Sequence, residues 1–151
     1  MINAGLLSLV LPEPLGGAGL GPVETAVVLT EVGRNVAAVP ALATLALGVL
    51  PLVRMGNTEQ QQEVLAELEQ GAVLTGALNE VSTPMPAVPA TTARADGEAF
   101  LVNGRKVAVP YAAQAYRMLV PTSGGVLLII RTPTASRSPA LPPPPAHRST
   151  R

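Results

Sequence analysis

The sequence predicts an α+β fold with its helices first and its strands second. Apolar residues recur at three- and four-residue steps up to Gly71, the helical period. After Gly71 the pattern shifts to short apolar runs separated by turn residues, the mark of strands. Helices and strands are thus segregated rather than alternating, which is the α+β arrangement. With 151 residues, 48% apolar and 13% charged, the chain can bury the core of one modest domain.

Residues 6–12 form a short apolar run, and Pro14 to Pro22 reads as a loop from its Gly and Pro content. That loop is not a dinucleotide fingerprint, because Pro22 stands where the third glycine of G-x-G-x-x-G would fall. Pro22 suits the first position of a helix, and Glu24 suits its positive end. Val23, Ala26, Val27 and Val32 give this helix an apolar stripe that stops at Gly33. A second helix is expected over 38–54, from Leu42, Leu45, Val49 and Val53, with a kink at Pro51 and an end at Gly56. A third begins with a capping box of Thr58 and Gln61, carries Val64, Leu65 and Leu68 inward, and closes at Gly71.

Residues 72–78 read as a buried strand, followed by short strands at 91–94, 100–103, 105–109, 118–120 and 126–130. Residues 95–98 look like a hairpin turn, and Asn103-Gly104 is a turn dipeptide. Residues 132–151 contain Leu141 and the run Pro142 to Pro145, and are expected to be disordered with polyproline II character.

Composition excludes several functions. Basic and acidic residues number 10 each, so no polybasic footprint points to nucleic acid. Residues 131–151 hold four arginines and no acid, which leaves residues 1–130 acidic, with 6 basic against 10 acidic groups. No cysteine is present, so thiol catalysis and Cys-based zinc sites are excluded. His147 is the single histidine and lies in the tail, so no metal site is assigned. Val36 to Val53 runs without a charge, yet it contains Pro40 and Pro51 and has no flanking Lys/Arg cluster or aromatic belt. It reads as a core helix, so no membrane partner is assigned, and the expected location is cytoplasmic. Membrane association through this stretch is the competing reading, which fractionation tests.

Six segments stand in register along the chain: Pro12 to Leu20, Leu29 to Arg34, Gly56 to Gln61, Ala77-Leu78-Asn79-Glu80, Gly97 to Lys106 and Val120-Pro121. In that order they resemble the PE-x-x-GG-x-G, EELGR, G-[ST]-EEQ, ALTE and G-x-x-LNG-x-K segments, and the end of the next strand, of acyl-CoA dehydrogenases. The resemblance implies an incomplete N-terminal helical domain over 1–71, a partial antiparallel β-barrel over 72–131 and a disordered Pro/Arg-rich tail over 132–151. The family's C-terminal four-helix domain, which supplies the catalytic carboxylate, has no counterpart in these residues. The change of composition after Ile130-Arg131 therefore predicts a truncated, frameshifted or mispredicted reading frame.

The family reaction is FAD-dependent α,β-dehydrogenation of an acyl-CoA thioester in fatty acid metabolism. The resemblance implies FAD as cofactor and acyl-CoA as substrate, with cofactor-binding positions at Leu78, Asn79, Ala108 and Pro110. Asn79 takes the place of a flavin-contacting threonine and keeps a donor and an acceptor. Ala108 and Pro110 stand where the family's K-x-W-[IV]-[ST] places an aromatic ring and a hydroxyl. Val81 to Pro86 replaces a Gly-rich phosphate turn, and its prolines remove backbone donors. No catalytic residue is assigned, and this chain alone is not expected to carry out the reaction. The alternative is a non-catalytic partner subunit, in a homo- or hetero-oligomer with a full-length dehydrogenase. Lys106 reads as a solvated strand-end charge, Glu80 as barrel structure, Thr91 and Thr92 as ordinary strand, and Tyr111 as surface packing. The sequence leaves open the acyl substrate, the electron acceptor and the oligomeric state.

Overall fold

The structure is a computed structural model, and it describes residues 5–81, 87–97 and 99–130. The expectations for the tail and for Ser82 to Pro86 lie outside those residues. In chain order come α1 (Leu6–Val10), a 3₁₀ turn (Glu13–Leu15), α2 (Pro22–Arg34), a π-helical segment (Leu42–Val49), α3 (Leu50–Met55) and α4 (Thr58–Glu69). Then follow β1 (Val73–Gly76), β2 (Thr92–Asp96), β3 (Ala99–Asn103), β4 (Ala115–Thr122) and β5 (Gly125–Ile130). The order of helices then strands is α+β, as the sequence predicts.

The helix starts follow from local chemistry. Glu24 Oε2 accepts from the Gly21 N–H at 2.9 Å, so α2 opens on a side chain reaching back. The α4 cap sits one residue earlier than expected. Asn57 Oδ1 accepts from the Gln60 N–H at 2.8 Å, and Gln60 Oε1 accepts from the Asn57 N–H at 3.0 Å. Asparagine is a better cap than threonine, so the box moves to it. Gln61 instead bridges backward, and its amide donates to the Val53 and Gly56 carbonyls at 3.1 and 3.0 Å.

The end of α2 also departs from expectation. The helix runs past Gly33, and Val36 takes the left-handed conformation at φ 50°. Ala37 N–H donates to Val32 O at 3.0 Å and Val36 N–H to Gly33 O at 3.1 Å, a Schellman closure with a valine where glycine is usual. The apolar stripe of α2 is rotated as well. Val23 and Val27 are exposed, while Thr25 is buried and Val28, Leu29 and Val32 meet the core.

The second long helix begins at Ala41 rather than at 38, and its first turns are π-wound. Leu50 N–H reaches back five residues to Leu45 O. Pro51 has no N–H to donate, and its ring would crowd the carbonyl four residues back, so the wider winding ahead of it relieves both problems. Gly56 ends α3 in an extended conformation at φ −75°, and a Cβ there would come 2.7 Å from Leu52 O. It is therefore glycine for space rather than for a left-handed cap.

The core is one cluster. Leu7, Val10 and Leu11 pack with Ala41, Leu45, Val49 and Leu52, with Val64, Leu65 and Leu68 of α4, and with Leu74 of β1. The π-helical segment lies directly on β1, and two glycines permit it. A Cβ on Gly48 would sit 2.7 Å from Leu74 Cγ, and one on Gly76 would sit 2.8 Å from Leu47 O.

The strands form a three-stranded sheet in the order β1-β4-β5 and a separate β2–β3 hairpin. β4·β5 and β2·β3 are antiparallel, but β1 pairs with β4 in parallel. The sheet is mixed, which corrects the antiparallel expectation for that pair. A parallel pair needs a long crossover, and here everything between Gly76 and Ala115 supplies it. Residues 105–109 are not a strand but an irregular segment with one isolated bridge, Glu80 to Lys106. The β2–β3 hairpin turn falls after Asp96, as expected for residues 95–98. Gly104 is the point where the chain passes Thr91, whose Oγ1 would lie 2.3 Å from a Cβ there.

Candidate functional site

The end of β1 continues as an extended edge, Ala77 to Glu80, and the segment 106–112 lies alongside it. Three contacts hold the two together. Val107 N–H donates to Asn79 O at 2.9 Å, and Thr75 Oγ1 donates to Pro110 O at 2.9 Å. Lys106 Nζ meets Glu80 Oε1 at 2.6 Å. The four candidate positions therefore come together: Leu78 half-buried and Asn79 exposed on one segment, Ala108 exposed and Pro110 half-buried on the other.

The segment 106–112 is bent by two residues in left-handed backbone, Ala108 at φ 50° and Tyr111 at φ 53°. Tyr111 O accepts from Gln114 N–H at 3.0 Å and from Ala115 N–H at 2.9 Å, which turns the chain into β4. Pro110 has no N–H and its carbonyl is engaged by Thr75, so it offers the edge no donor.

Behind the edge lies a buried charge cluster. The Glu80 carboxylate accepts from Lys106 Nζ, from Thr91 Oγ1 at 2.5 Å, from Thr91 N–H at 3.1 Å and from Ala90 N–H at 2.7 Å. Lys106 also donates to Pro121 O at 2.7 Å. The side chains of Lys106 and Glu80 are 10% and 3% exposed, so Lys106 is a buried partner and not the solvated charge that was expected. Lys106 above all, then the Thr91 hydroxyl, holds the Glu80 carboxyl at about 2, against the opposing effect of burial. Sequence reasoning missed Lys106 and Thr91 here. The one signal available was that Glu80 and Lys106 both fall in recognisable motifs.

A second ion pair joins the layers. Arg117 of β4 pairs with Glu63 of α4, and its guanidinium stands 5.4 Å from the centre of the Tyr116 ring. A separate apolar cavity of about 280 Å³ lies between Val10, Pro12, Leu20, Leu50 and Val53, with Arg54 on its wall. It contains none of the candidate positions. Among the described residues no group of His, Asp and Glu could hold a metal ion, and no helix is long and apolar enough to cross a membrane.

The family model described as "Acyl-CoA dehydrogenase, N-terminal domain" matches residues 1–72. The chain is 45% identical over 148 residues to "Acyl-CoA dehydrogenase FadE28" of Mycobacterium tuberculosis, an alignment covering 91% of this chain and 42% of that protein. The chain belongs to the acyl-CoA dehydrogenase family. Two solved structures extend the likeness to the fold. The ChsE4-ChsE5 complex of M. tuberculosis superposes with a TM-score of 0.72 at 34% identity, over 85% of this chain and 36% of its own. A glutaryl-CoA dehydrogenase of Mycobacterium smegmatis, solved with FADH2, gives 0.71 at 26% identity, over 85% and 35%. The chain spans about two fifths of the curated relative's length.

Within an acyl-CoA dehydrogenase frame the described residues make a helical base, a three-stranded sheet, a separate two-stranded hairpin and an exposed edge. The edge carries one side-chain amide, Asn79, able both to donate and to accept.

Proposed function

We propose that this chain is part of an FAD-dependent acyl-CoA dehydrogenase and contributes one edge of its flavin site through Leu78, Asn79, Ala108 and Pro110. The observation that carries the reading is the convergence of those four positions on one open edge, in a chain similar to a dehydrogenase solved with FADH2. FAD, when bound, supplies hydride acceptance for α,β-dehydrogenation of an acyl-CoA thioester. The chain's own residues position that group. Asn79 orients the ring by hydrogen bonding, Thr75 fixes the turn at Pro110, and the Glu80–Lys106 pair fixes both segments from behind. The division into helical residues 1–71 and sheet residues 72–131, a cytoplasmic location and a place in fatty acid metabolism belong to the same proposal.

A second reading, a non-catalytic partner subunit, is favoured by one observation: neither the Ala108 side chain nor Pro110 offers a donor, because Ala108 has no polar side-chain atom and Pro110 no N–H. The likeness to a complex of two named components, ChsE4 and ChsE5, supports a hetero-oligomer. Both readings are tested by expressing the chain alone and with a full-length acyl-CoA dehydrogenase, then recording size and flavin absorbance. Flavin retained by the chain is the result expected of a part that forms one edge of the flavin site. Co-elution in which only the dehydrogenase retains flavin selects the partner-subunit reading. A chain that stays apart and free of flavin overturns both.

A further inference from the structure

We propose that the apolar cavity beside the loop between α1 and α2 binds a small amphipathic carboxylate, whose apolar chain fills the cavity and whose anionic end pairs with Arg54. The proposal stands apart from the flavin reading, because no position of the flavin edge lines this cavity.

The cavity holds about 280 Å³ and lies where α1, the loop and α3 meet. Its walls are Val10 of α1, Pro12 and Leu20 of the loop, and Leu50 and Val53 of α3. Small-molecule sites run from roughly 300 to 1,000 Å³, so the occupant is short.

The wall offers the occupant few polar partners. The Gly19 and Leu20 N–H groups donate to the Leu11 and Leu9 carbonyls at 2.7 and 2.9 Å. The Gly21 N–H donates to Glu24 Oε2, and the Gly21 carbonyl accepts from the Thr25 hydroxyl at 3.0 Å. The Val53 carbonyl accepts from the Gln61 amide, and Pro12 and Pro22 have no N–H. A sugar or a nucleotide would lose its water here and gain nothing in exchange.

Arg54 is the exception. It is the charged side chain on the wall, and among the described residues it pairs with no carboxylate. Its guanidinium presents a fork of donors that matches a carboxylate in geometry. An apolar cavity with one cation at its wall selects a molecule with an apolar body and a single anionic end.

The loop is built to keep this shape. Gly19 takes the left-handed conformation at φ 66°, and a Cβ on Gly17 would collide with Leu11 O. Both glycines let the loop lie close against the end of α1, where its hydrogen bonds hold it. A wall fixed in this way spares the ligand the cost of ordering it.

The test is calorimetric titration of the full chain with octanoate and with octanol, beside thermal melting of each variant. Wild type is expected to bind octanoate at one saturable site and octanol about tenfold more weakly, the scale of one hydrogen bond to a charged group. Arg54→Gln is expected to melt with wild type, because the side chain is exposed, and to bind octanoate no better than octanol. Leu20→Trp, which fills the cavity from the loop side, is expected to lose both ligands. No saturable binding of octanoate by wild type overturns the proposal, as does Arg54→Gln binding octanoate as tightly as wild type. Loss of octanoate binding once a full-length dehydrogenase is bound assigns the cavity to the partner's side chains and overturns it too. None of these readouts depends on flavin, so the flavin reading stands or falls separately.

Discussion

Glu80 is a buried carboxylate with four donors, and its charge has a consequence for stability. Its carboxyl titrates at about 2 in the folded chain against 4.5 ordinarily, so between those values the unfolded chain binds more protons. Stability contributed by Glu80 is complete above about 4.5 and is lost as the pH falls toward 2. Glu80→Gln is expected to flatten the stability profile across that window, measured by denaturant unfolding at fixed pH values. An acid limb that keeps its slope in the variant would place the effect on other carboxylates. This pairing was not legible in the sequence. Glu80 and Lys106 lie 26 positions apart, and only the fold brings them together. A lysine with no local partner is solvated in most chains, so the default reading failed for a tertiary reason.

At the scale of elements, the clearest lesson concerns ends. Val36 closes α2 at φ 50° with a β-branched, exposed side chain. A left-handed conformation costs an L-residue roughly 1–2 kcal/mol, and glycine gives back part of that in chain entropy. Val36→Gly is expected to stabilise the chain by about 1 kcal/mol, read as a higher denaturation midpoint with an unchanged slope. A destabilised variant would mean that the valine side chain packs. The helices α2 and α4 were legible because Pro22, Glu24 and the Thr58–Gln61 pattern carry start signals, the last displaced by one residue from the true cap, and Val64, Leu65 and Leu68 keep the helical period. The π-winding of Leu42–Val49 was not. That stretch is apolar on every side, so its periodicity says nothing of how tightly it winds. The expected strand at 105–109 failed because Pro110 and the left-handed Ala108 break the extended path. Leu78, Asn79, Ala108 and Pro110 were proposed through the family resemblance, whereas the hydrogen bonds that tie their two segments together follow only from the fold.

Across the whole molecule, burial is uneven. Val23 and Val27 stand 72% and 61% exposed, one turn apart on the outer face of α2. Val23→Lys with Val27→Glu is expected to change stability by less than about 0.5 kcal/mol, because exposed positions rarely count for more. It is expected to lower self-association, measured by light scattering. A large loss of stability would show that this face is covered in the chain. The sheet imposes a different requirement. β1 follows directly on the helices in sequence and packs against them, yet the strand that completes it is β4, with Val73 opposite Ala115. A ribosome adds about 5–20 residues per second, so the edge of β1 stays unpaired for roughly 2–8 s while the intervening segment emerges. During synthesis the first half of this protein can pack its helices, but it must wait for the second half before its sheet exists.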